Sequence, residues 1–420
     1  MLGVPALMAC ENWDDHDRSN RYTAVEMARN YLNSVGRNGI LVTHGDNDTF
    51  PLWYAQEVEG VRTDVRIINT SLYEADWHIE QMRFAANESA PMPMKVKPEQ
   101  YLQGTNDIVL IYDTRDSIFP LANVMEVFRH PQAKIPLTDG SMADYIASRR
   151  FSIPVNKENV IRHGILDPKY IDMIPDEIVL EIPKDKRHVT KGELFMLDLL
   201  SNYEWDRPIS LLSAGGDINI GIRDYLMFDG FSYRFIPIKN VTDRHRTGFC
   251  DADDLYRKMT GIYEFESLKR TDWFVDYNNL YTFVGSLSQR DIFARSAMEM
   301  TKAGMPEKAV VLLDMCCKCI PEENFPLEMT GLMLGGEEDV MAMIEAYHFA
   351  GAAEKALELA EKLADGLLES TAFFIRFYGD DPDMFEACYH YLSILSTLAD
   401  EMGEVGFADS IRDRFNALLE

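Results

Sequence analysis

Nowhere does the sequence contain an apolar run of about 18 residues, the length that a membrane-spanning helix needs. Basic residues are too few for binding to nucleic acid or to an anionic lipid surface, because 69 acidic residues face 41 basic ones and the net charge is −28. The signatures G-x-S-x-G and H-E-x-x-H do not occur. We therefore expect no nucleic-acid partner and no self-contained catalytic centre of these kinds.

Cysteine is scarce, and its placement argues against a zinc site. Three of the six cysteines lie close together in MCCKC, at Cys316, Cys317 and Cys319. Adjacent positions on a helix point about 100° apart, and no second pair of cysteines has the spacing of zinc ligands. We predict that these thiols are small, buried side chains of a helix.

The apolar fraction of 46% in 420 residues is enough for two or three domains. We predict a membrane-proximal stub or linker at 1–20, an α/β domain at 21–250, a connector at 251–274 and an all-helical domain at 275–420. Alternating strand and helix patterns indicate that the α/β domain is Rossmann-like, with a mostly parallel sheet. The middle segment, 131–190, is interpreted as an insertion or a strand-rich flank.

The pattern places each element of the α/β domain. Strands are expected at 39–43, 64–69, 107–112, 177–182, 208–213 and 231–238, the last of them at the sheet edge because a proline lies near its end. Helices are expected at 23–35, 51–58, 75–86, 121–128, 192–202 and 222–228. The helix at 51–58 is predicted to start with its proline.

A weak repeat marks the helical part. Glycine is followed five residues later by alanine at Gly304, at Gly351 and at Gly403. Glycine permits a tight turn, and alanine lets two helices approach closely, as in tetratricopeptide-like helix pairs. The alternative is a plain helical bundle whose short turns use glycine.

The first candidate site is the polar segment that follows the first strand. His44, Asp46, Asn47 and Asp48 are suited to binding a divalent ion or sugar hydroxyls, or to acid–base chemistry. The alternative is that these side chains make turn hydrogen bonds and cap the helix that starts at Pro51. A second glycine-containing loop, SAGGD at 213–217, ends at Asp217 and has neither G-x-G-x-x-G spacing nor the lysine of a P-loop.

Aromatic residues lie next to these polar segments. Trp53, Tyr54, Tyr73 and Trp77 are of the type that pairs with carboxylates and amides in sugar-binding sites. The alternative is core packing of amphipathic helices, which is the more common role of tryptophan.

A calcium loop is a further cofactor site that the sequence suggests. Asp15, Asp17 and Ser19 occupy the first, third and fifth positions of an EF-hand-type loop, and Glu26 occupies the twelfth. Asn20 replaces the usual glycine at the sixth position. The alternative, which we favour, is an acidic helix N-terminus stabilised by the helix dipole.

Three segments together carry a family resemblance: ENWDDHDRSNRYTA at 11–24, GDNDTFPLWYAQEVEGVRTDVRIIN at 45–69 and DGFSYRFIPIK at 229–239. They resemble the C-terminal, extramembrane part of a family of large polytopic membrane proteins from bacteria with outer membranes. The membrane half of that family is similar to GT-C glycosyltransferases of the protein O-mannosyltransferase type. The resemblance covers essentially the whole chain.

The resemblance implies a non-catalytic module that faces the periplasm at the cytoplasmic membrane. It would follow the last membrane helix, of which 2–9 is a remnant. Its partners would be its own membrane domain and an acceptor protein or glycan. Two alternatives stay open: a metal-dependent enzyme that uses His44, Asp46 and Asp48, and a structural module whose helical part binds other proteins.

Overall fold

The computed structural model describes residues 3–13, 17, 19–114, 116–214, 218–240, 249–270, 272, 275, 289–328, 336–377 and 382–419. The chain divides into two compact units. The first is continuous, Met27–Asp251, and the second combines Met1–Glu26 with Ala252–Glu420.

The elements follow one another along the chain in a mixed α/β half and then a helical half. The helices are α1 (Gly3–Glu11), α2 (Thr23–Ser34), α3 (Gly45–Glu57), α4 (Asp76–Met82), α5 (Leu121–Arg129), α6 (Lys157–Arg162), α7 (Lys191–Ser201), α8 (Ala252–Gly261), α9 (Glu266–Lys269), α10 (Gln289–Lys302), α11 (Pro306–Cys319), α12 (Gly336–Phe349), α13 (Ala353–Phe377), α14 (Pro382–Glu401) and α15 (Val405–Leu419). The strands are β1 (Ile40–Thr43), β2 (Arg66–Asn69), β3 (Ile108–Ile111), β4 (Ile118–Pro120), β5 (Ile135–Pro136), β6 (Met142–Ala143), β7 (Tyr145–Ile146), β8 (Arg150–Pro154), β9 (Glu177–Glu181), β10 (His188–Thr190), β11 (Ile209–Leu211), β12 (Leu226–Phe228), β13 (Tyr233–Phe235) and β14 (Phe249–Cys250).

The main sheet of the α/β unit is mixed and has the strand order β14-β12-β13-β11-β1-β2. Strand β1 lies parallel to both of its neighbours, so that Ile40 is in register with Ile209 on β11 and with Arg66 on β2. All four residues of β1 are buried, as expected for a strand that is covered on both faces. The carboxyl ends of β2, β1 and β11 therefore lie along one edge of the sheet.

The order of an α/β part followed by an all-helical part is confirmed for the described residues. The interpretation of 131–190 as strand-rich also agrees with the structure, since β5 to β10 fall within it. Two small three-stranded sheets have the orders β10-β3-β7 and β4-β8-β9. The Rossmann-like assignment of the main sheet stays a prediction.

Two local predictions are wrong. The segment 231–238 is not an edge strand, because β13 pairs with β11 on one side and β12 on the other. The strand ends at Phe235, so Pro237 falls after it and interrupts no ladder hydrogen bond. The expected helix at 222–228 is a 3₁₀ turn, Ile222–Tyr225, followed by the buried strand β12.

The polar segment after β1 is also not a loop. Helix α3 begins at Gly45, six residues before the proline that was expected to start it, and Pro51 lies inside the helix. Asp46 and Asp48 fall in the first turn, where carboxylates interact favourably with the helix dipole. The Thr49 hydroxyl donates to the Gly45 carbonyl at 2.7 Å and ties this turn together.

In the second unit, glycines end three helices at the predicted positions. Gly304, Gly351 and Gly403 have φ of 76°, 79° and 86°, the left-handed conformation that favours glycine after a helix. The alanines five residues later are fully buried: Ala309, Ala356 and Ala408. Helices α10 and α11, α12 and α13, and α14 and α15 are joined by these turns. Whether the pairs are tetratricopeptide-like stays a prediction.

None of the described helices has the length and apolar character required to cross a bilayer.

Candidate functional site

Two clefts in the α/β unit contain residues that the sequence singles out. The first, which we call the strand-end cleft, lies at the carboxyl ends of β1 and β11 and is lined in part by His44, Asp48, Thr70 and Ser213. Its volume is about 30 Å³, enough for one or two water molecules.

A buried hydrogen-bond network lies next to the strand-end cleft, which it reaches through Thr43. The hydroxyl of Thr49 lies 2.7 Å from that of Thr43 at the end of β1. The Asn69 side-chain amide, at the end of β2, donates to Thr49 Oγ1 at 2.9 Å and to the Gly45 carbonyl at 3.1 Å. The network fixes the start of α3 against two parallel strands.

His44 and Asp48 are two of the polar residues that line this cleft. The His44 Nδ1 lies 2.9 Å from Thr70 Oγ1 and 3.2 Å from Ser71 Oγ. Burial raises the pKa of Asp48, and a hydrogen bond from the His44 backbone N–H partly opposes that rise. A carboxyl with a raised pKa in a cleft is suited to acid–base chemistry.

The structure does not place the other residues predicted for this site in the cleft with His44 and Asp48. Asp46 and Asn47 are exposed on the first turn of α3. Asp217 lies outside the described residues. Among the residues that the structure describes, no three His, Cys, Asp or Glu side chains are grouped to hold a metal ion.

The second cleft, the tryptophan groove, is much larger, with a volume of about 530 Å³. Helix α3 contributes Trp53, Gln56 and Glu57, strand β2 contributes Arg66, and helix α4 contributes Trp77 with its neighbours. The opposite wall is the segment after α4, and its residues that line the groove are Phe84, Ala85, Ala86, Asn87 and Ser89.

Large aromatic side chains stand at the mouth of the tryptophan groove. Trp77 is 50% exposed and Phe84 is 61% exposed. Trp53 is half-buried and stacks on Phe50, with ring centroids 5.5 Å apart. Exposed aromatic faces beside polar groups suit a ligand that is apolar on one face and polar at its edge.

The floor of the tryptophan groove holds two buried polar side chains, Arg66 and His78. Arg66 donates from Nε to Ser89 Oγ at 3.0 Å and from Nη2 to the carbonyls of Phe84, Ser89 and Ala90. It therefore attaches the wall segment to β2. The two ring nitrogens of His78 are buried and have no hydrogen-bond partner among the described residues. Burial, with a smaller effect of the Arg66 charge, lowers the pKa of His78 to about 4.

The structure thus brings Trp53 and Trp77 to one groove and places His44 and Asp48 in another cleft. Tyr73 is fully buried against Phe195, at a centroid distance of 5.7 Å, so core packing accounts for it. Arg66, His78 and Gln56 were not identified from the sequence. Gln56 and Glu57 follow Trp53 by three and four residues, which is the spacing of neighbours on one helix face, and this spacing is the signal by which they could have been found.

At the proposed calcium loop, Asp17 Oδ1 accepts a hydrogen bond from the Ser19 backbone N–H at 2.8 Å. Asn20 has a φ of 62°, the left-handed conformation expected at the sixth position of such a loop. The carboxylate of Glu26, however, accepts hydrogen bonds from the backbone N–H groups of Glu266 and Ser267, at 3.0 and 2.9 Å. Asp15 lies outside the described residues. The calcium site therefore stays a prediction.

Comparison with known proteins gives one family. Residues 24–254, more than half of the chain, match the family described as TMEM260-associated domain 2. This is a family linked to membrane-protein-associated domains. No curated protein sequence and no solved structure matches the chain.

Proposed function

The chain belongs to the TMEM260-associated domain 2 family, and on that premise we propose that it is a non-catalytic, glycan-binding module of a membrane-embedded, glycosyltransferase-like protein. The observation that carries this proposal is the tryptophan groove. It places Trp53 and Trp77 around a cavity of about 530 Å³ that is floored by hydrogen-bonding side chains. Aromatic faces stack on the apolar faces of pyranose rings, and the polar groups of the floor bind hydroxyls.

The wider role follows from the same proposal. The module would lie on the periplasmic side of the cytoplasmic membrane and act beside its own membrane domain. There it would bind or position an acceptor protein or glycan. The helix pairs of the second unit would be tetratricopeptide-like and would contact the protein part of such an acceptor. The Rossmann-like α/β unit would supply the glycan contact.

A glycan-binding experiment on the whole chain tests the proposal. Saturation-transfer NMR and tryptophan fluorescence with a panel of oligosaccharides should detect a ligand. Trp53→Ala and Trp77→Ala should each weaken its binding by about tenfold or more, as expected for an aromatic residue at the centre of a binding site.

Tyr54→Ala is the matched control for these variants. Tyr54 is 50% exposed on the same helix as Trp53 but does not line the groove. Its removal should change the affinity less than about twofold, because surface residues outside a site contribute little. Equal losses in all three variants, or turnover of a sugar donor by the chain alone, would contradict the proposal.

A second candidate function is a metal-dependent enzyme that uses His44, Asp46 and Asp48. The raised pKa of Asp48 in the strand-end cleft supports an acid–base role. Its small volume and the exposure of Asp46 favour the binding module over this alternative. Hydrolysis of a test ester or phosphodiester by the chain with Mn²⁺, abolished by Asp48→Asn, would favour the enzyme.

A further inference from the structure

We propose that the tryptophan groove selects an acidic saccharide, a pyranose that carries a carboxylate, and that Arg66 and His78 contact this carboxylate. The inference rests on the proposed glycan-binding function and names the ligand class of the same groove. It depends on the charge and the unsatisfied hydrogen-bonding capacity of the groove floor.

Arg66 is a buried cation that has no acidic partner among the residues that the structure describes. Its side chain is 4% exposed, and its hydrogen bonds go to three carbonyls and one hydroxyl. Within the part of the chain that the structure describes, no carboxylate forms an ion pair with it, and its Nη1 makes no hydrogen bond. Because buried charges in proteins are usually paired, this guanidinium is a candidate partner for an anionic ligand.

A second buried guanidinium strengthens the positive charge below the groove. Arg207 is 6% exposed and donates from Nη2 to Ser89 Oγ at 3.3 Å, the same hydroxyl that Arg66 binds. Its Nη1 contacts the carbonyls of Ala90 and Pro91. Two adjacent cations are unexpected in a chain with a net charge of −28, and their charges favour an anion in this region, with the carboxylate of Asp206 opposing part of the charge of Arg207.

His78 adds an independent observation at the same floor. It is 1% exposed, lines the groove, and both of its ring nitrogens are without a hydrogen-bond partner among the described residues. A buried polar group without a partner is unfavourable, and a ligand oxygen that accepts from the protonated ring nitrogen of His78 removes part of this cost. The N–H donors of His78 and Arg66 together favour oxygen acceptors, and a carboxylate provides two of them.

Glu57, an acidic residue that lines the groove, provides a variant that tests whether the ligand is acidic or neutral. Glu57 is exposed, and its Oε1 accepts a hydrogen bond from the Asn87 side-chain amide at 2.7 Å. Its negative charge opposes an anionic ligand. Glu57→Gln removes that charge and keeps an oxygen acceptor for Asn87, so this substitution leaves the fold of the wall in place.

The experiment compares matched ligands on the whole chain. Methyl hexopyranosides and the corresponding methyl hexuronosides, in the gluco, galacto and manno configurations, are titrated and followed by isothermal calorimetry and saturation-transfer NMR. At least one hexuronoside should bind about tenfold more tightly than its neutral twin, as expected for a charge-assisted contact to a buried guanidinium. Glu57→Gln should raise this ratio by about threefold, since a like charge is removed near the surface.

His78→Phe completes the test because it keeps the ring and removes the nitrogens. It should reduce the preference for the hexuronoside, with circular dichroism used to check the fold. Equal affinity for acidic and neutral twins, or no effect of Glu57→Gln on their ratio, would overturn the acidic-saccharide inference and leave glycan binding intact. Failure of every saccharide, neutral or acidic, to bind would overturn both.

Discussion

His78 is a single residue with a measurable effect on stability. Burial lowers its pKa in the folded chain to about 4, whereas the ordinary value is 6.5. Between these two values the unfolded chain binds more protons than the folded chain, so stability rises with pH through this interval. The contribution of His78 to stability is thus intact above pH 6.5 and is lost as the pH falls towards 4.

We expect the free energy of unfolding to fall by about 2 kcal/mol when the pH is lowered from 7 to 5, because the unfolded chain then binds a proton at His78 that the folded chain does not. Urea unfolding of the native chain and of His78→Gln at both pH values gives the loss of free energy of unfolding on acidification for each. The difference between the two losses is the contribution of His78. His163→Gln is the control, because His163 is exposed. If His78→Gln and the native chain lose the same stability on acidification, His78 is not buried as a neutral imidazole.

Helix α3 shows how polar side chains decide where an element begins. Thr49 is fully buried, and its hydroxyl contacts Thr43 Oγ1, the Asn69 amide and the Gly45 carbonyl. Thr49→Val has nearly the same shape but leaves these groups with fewer partners. We expect a loss of about 1–2 kcal/mol in the free energy of unfolding, measured by the urea midpoint at unchanged m-value.

Thr63→Val is the matched control for this substitution. The Thr63 hydroxyl donates to Glu88 at 3.1 Å in an exposed position, so its loss should cost less than about 0.5 kcal/mol. Similar losses for the two variants would show that the network at the ends of β1 and β2 does not stabilise the start of α3.

Local pattern was sufficient to predict strands such as β1, β2 and β11 and most helices of the α/β part, but it missed other strands, β8 and β12 among them, and gave neither the strand partners nor the start of α3. The apolar runs of β1, β2 and β11 predict three buried strands. Their pairing joins Ile40 to Ile209, a contact that no local pattern contains. Proline is a common first residue of helices, so α3 was expected to begin at Pro51. Tertiary hydrogen bonds of Thr49 instead extend the helix back to Gly45.

The candidate site was predictable in part for the same reason. Trp53 and Trp77 were identified because aromatic residues beside polar segments are noticeable in the sequence, and the structure places them in one groove. Arg66 and His78 were missed because neither belongs to a recognisable motif in the sequence. Among the described residues, Arg66 is buried without an acidic partner and His78 without a hydrogen-bond partner, and both features depend on packing against the segment after α4.

For the chain as a whole, the residues that match the family are nearly the same as those of the α/β unit. The match covers residues 24–254, and the α/β unit is Met27–Asp251. This unit has its own core, in which Trp205 stacks on Phe235 at 5.2 Å and donates to the Pro154 carbonyl at 2.8 Å. Both the tryptophan groove and the strand-end cleft are formed by residues of this unit.

We therefore expect a fragment of residues 21–251 to fold alone and to keep the glycan affinity of the whole chain within about twofold, because a compact unit with its own core usually folds independently. Far-ultraviolet circular dichroism, thermal unfolding and the saccharide titration measure this outcome. The same fragment with Trp205→Ala is the control, since loss of a buried tryptophan costs about 3–5 kcal/mol and should prevent folding or lower the melting temperature strongly. A well-folded fragment that binds no saccharide recognised by the whole chain would show that the groove requires residues outside 21–251.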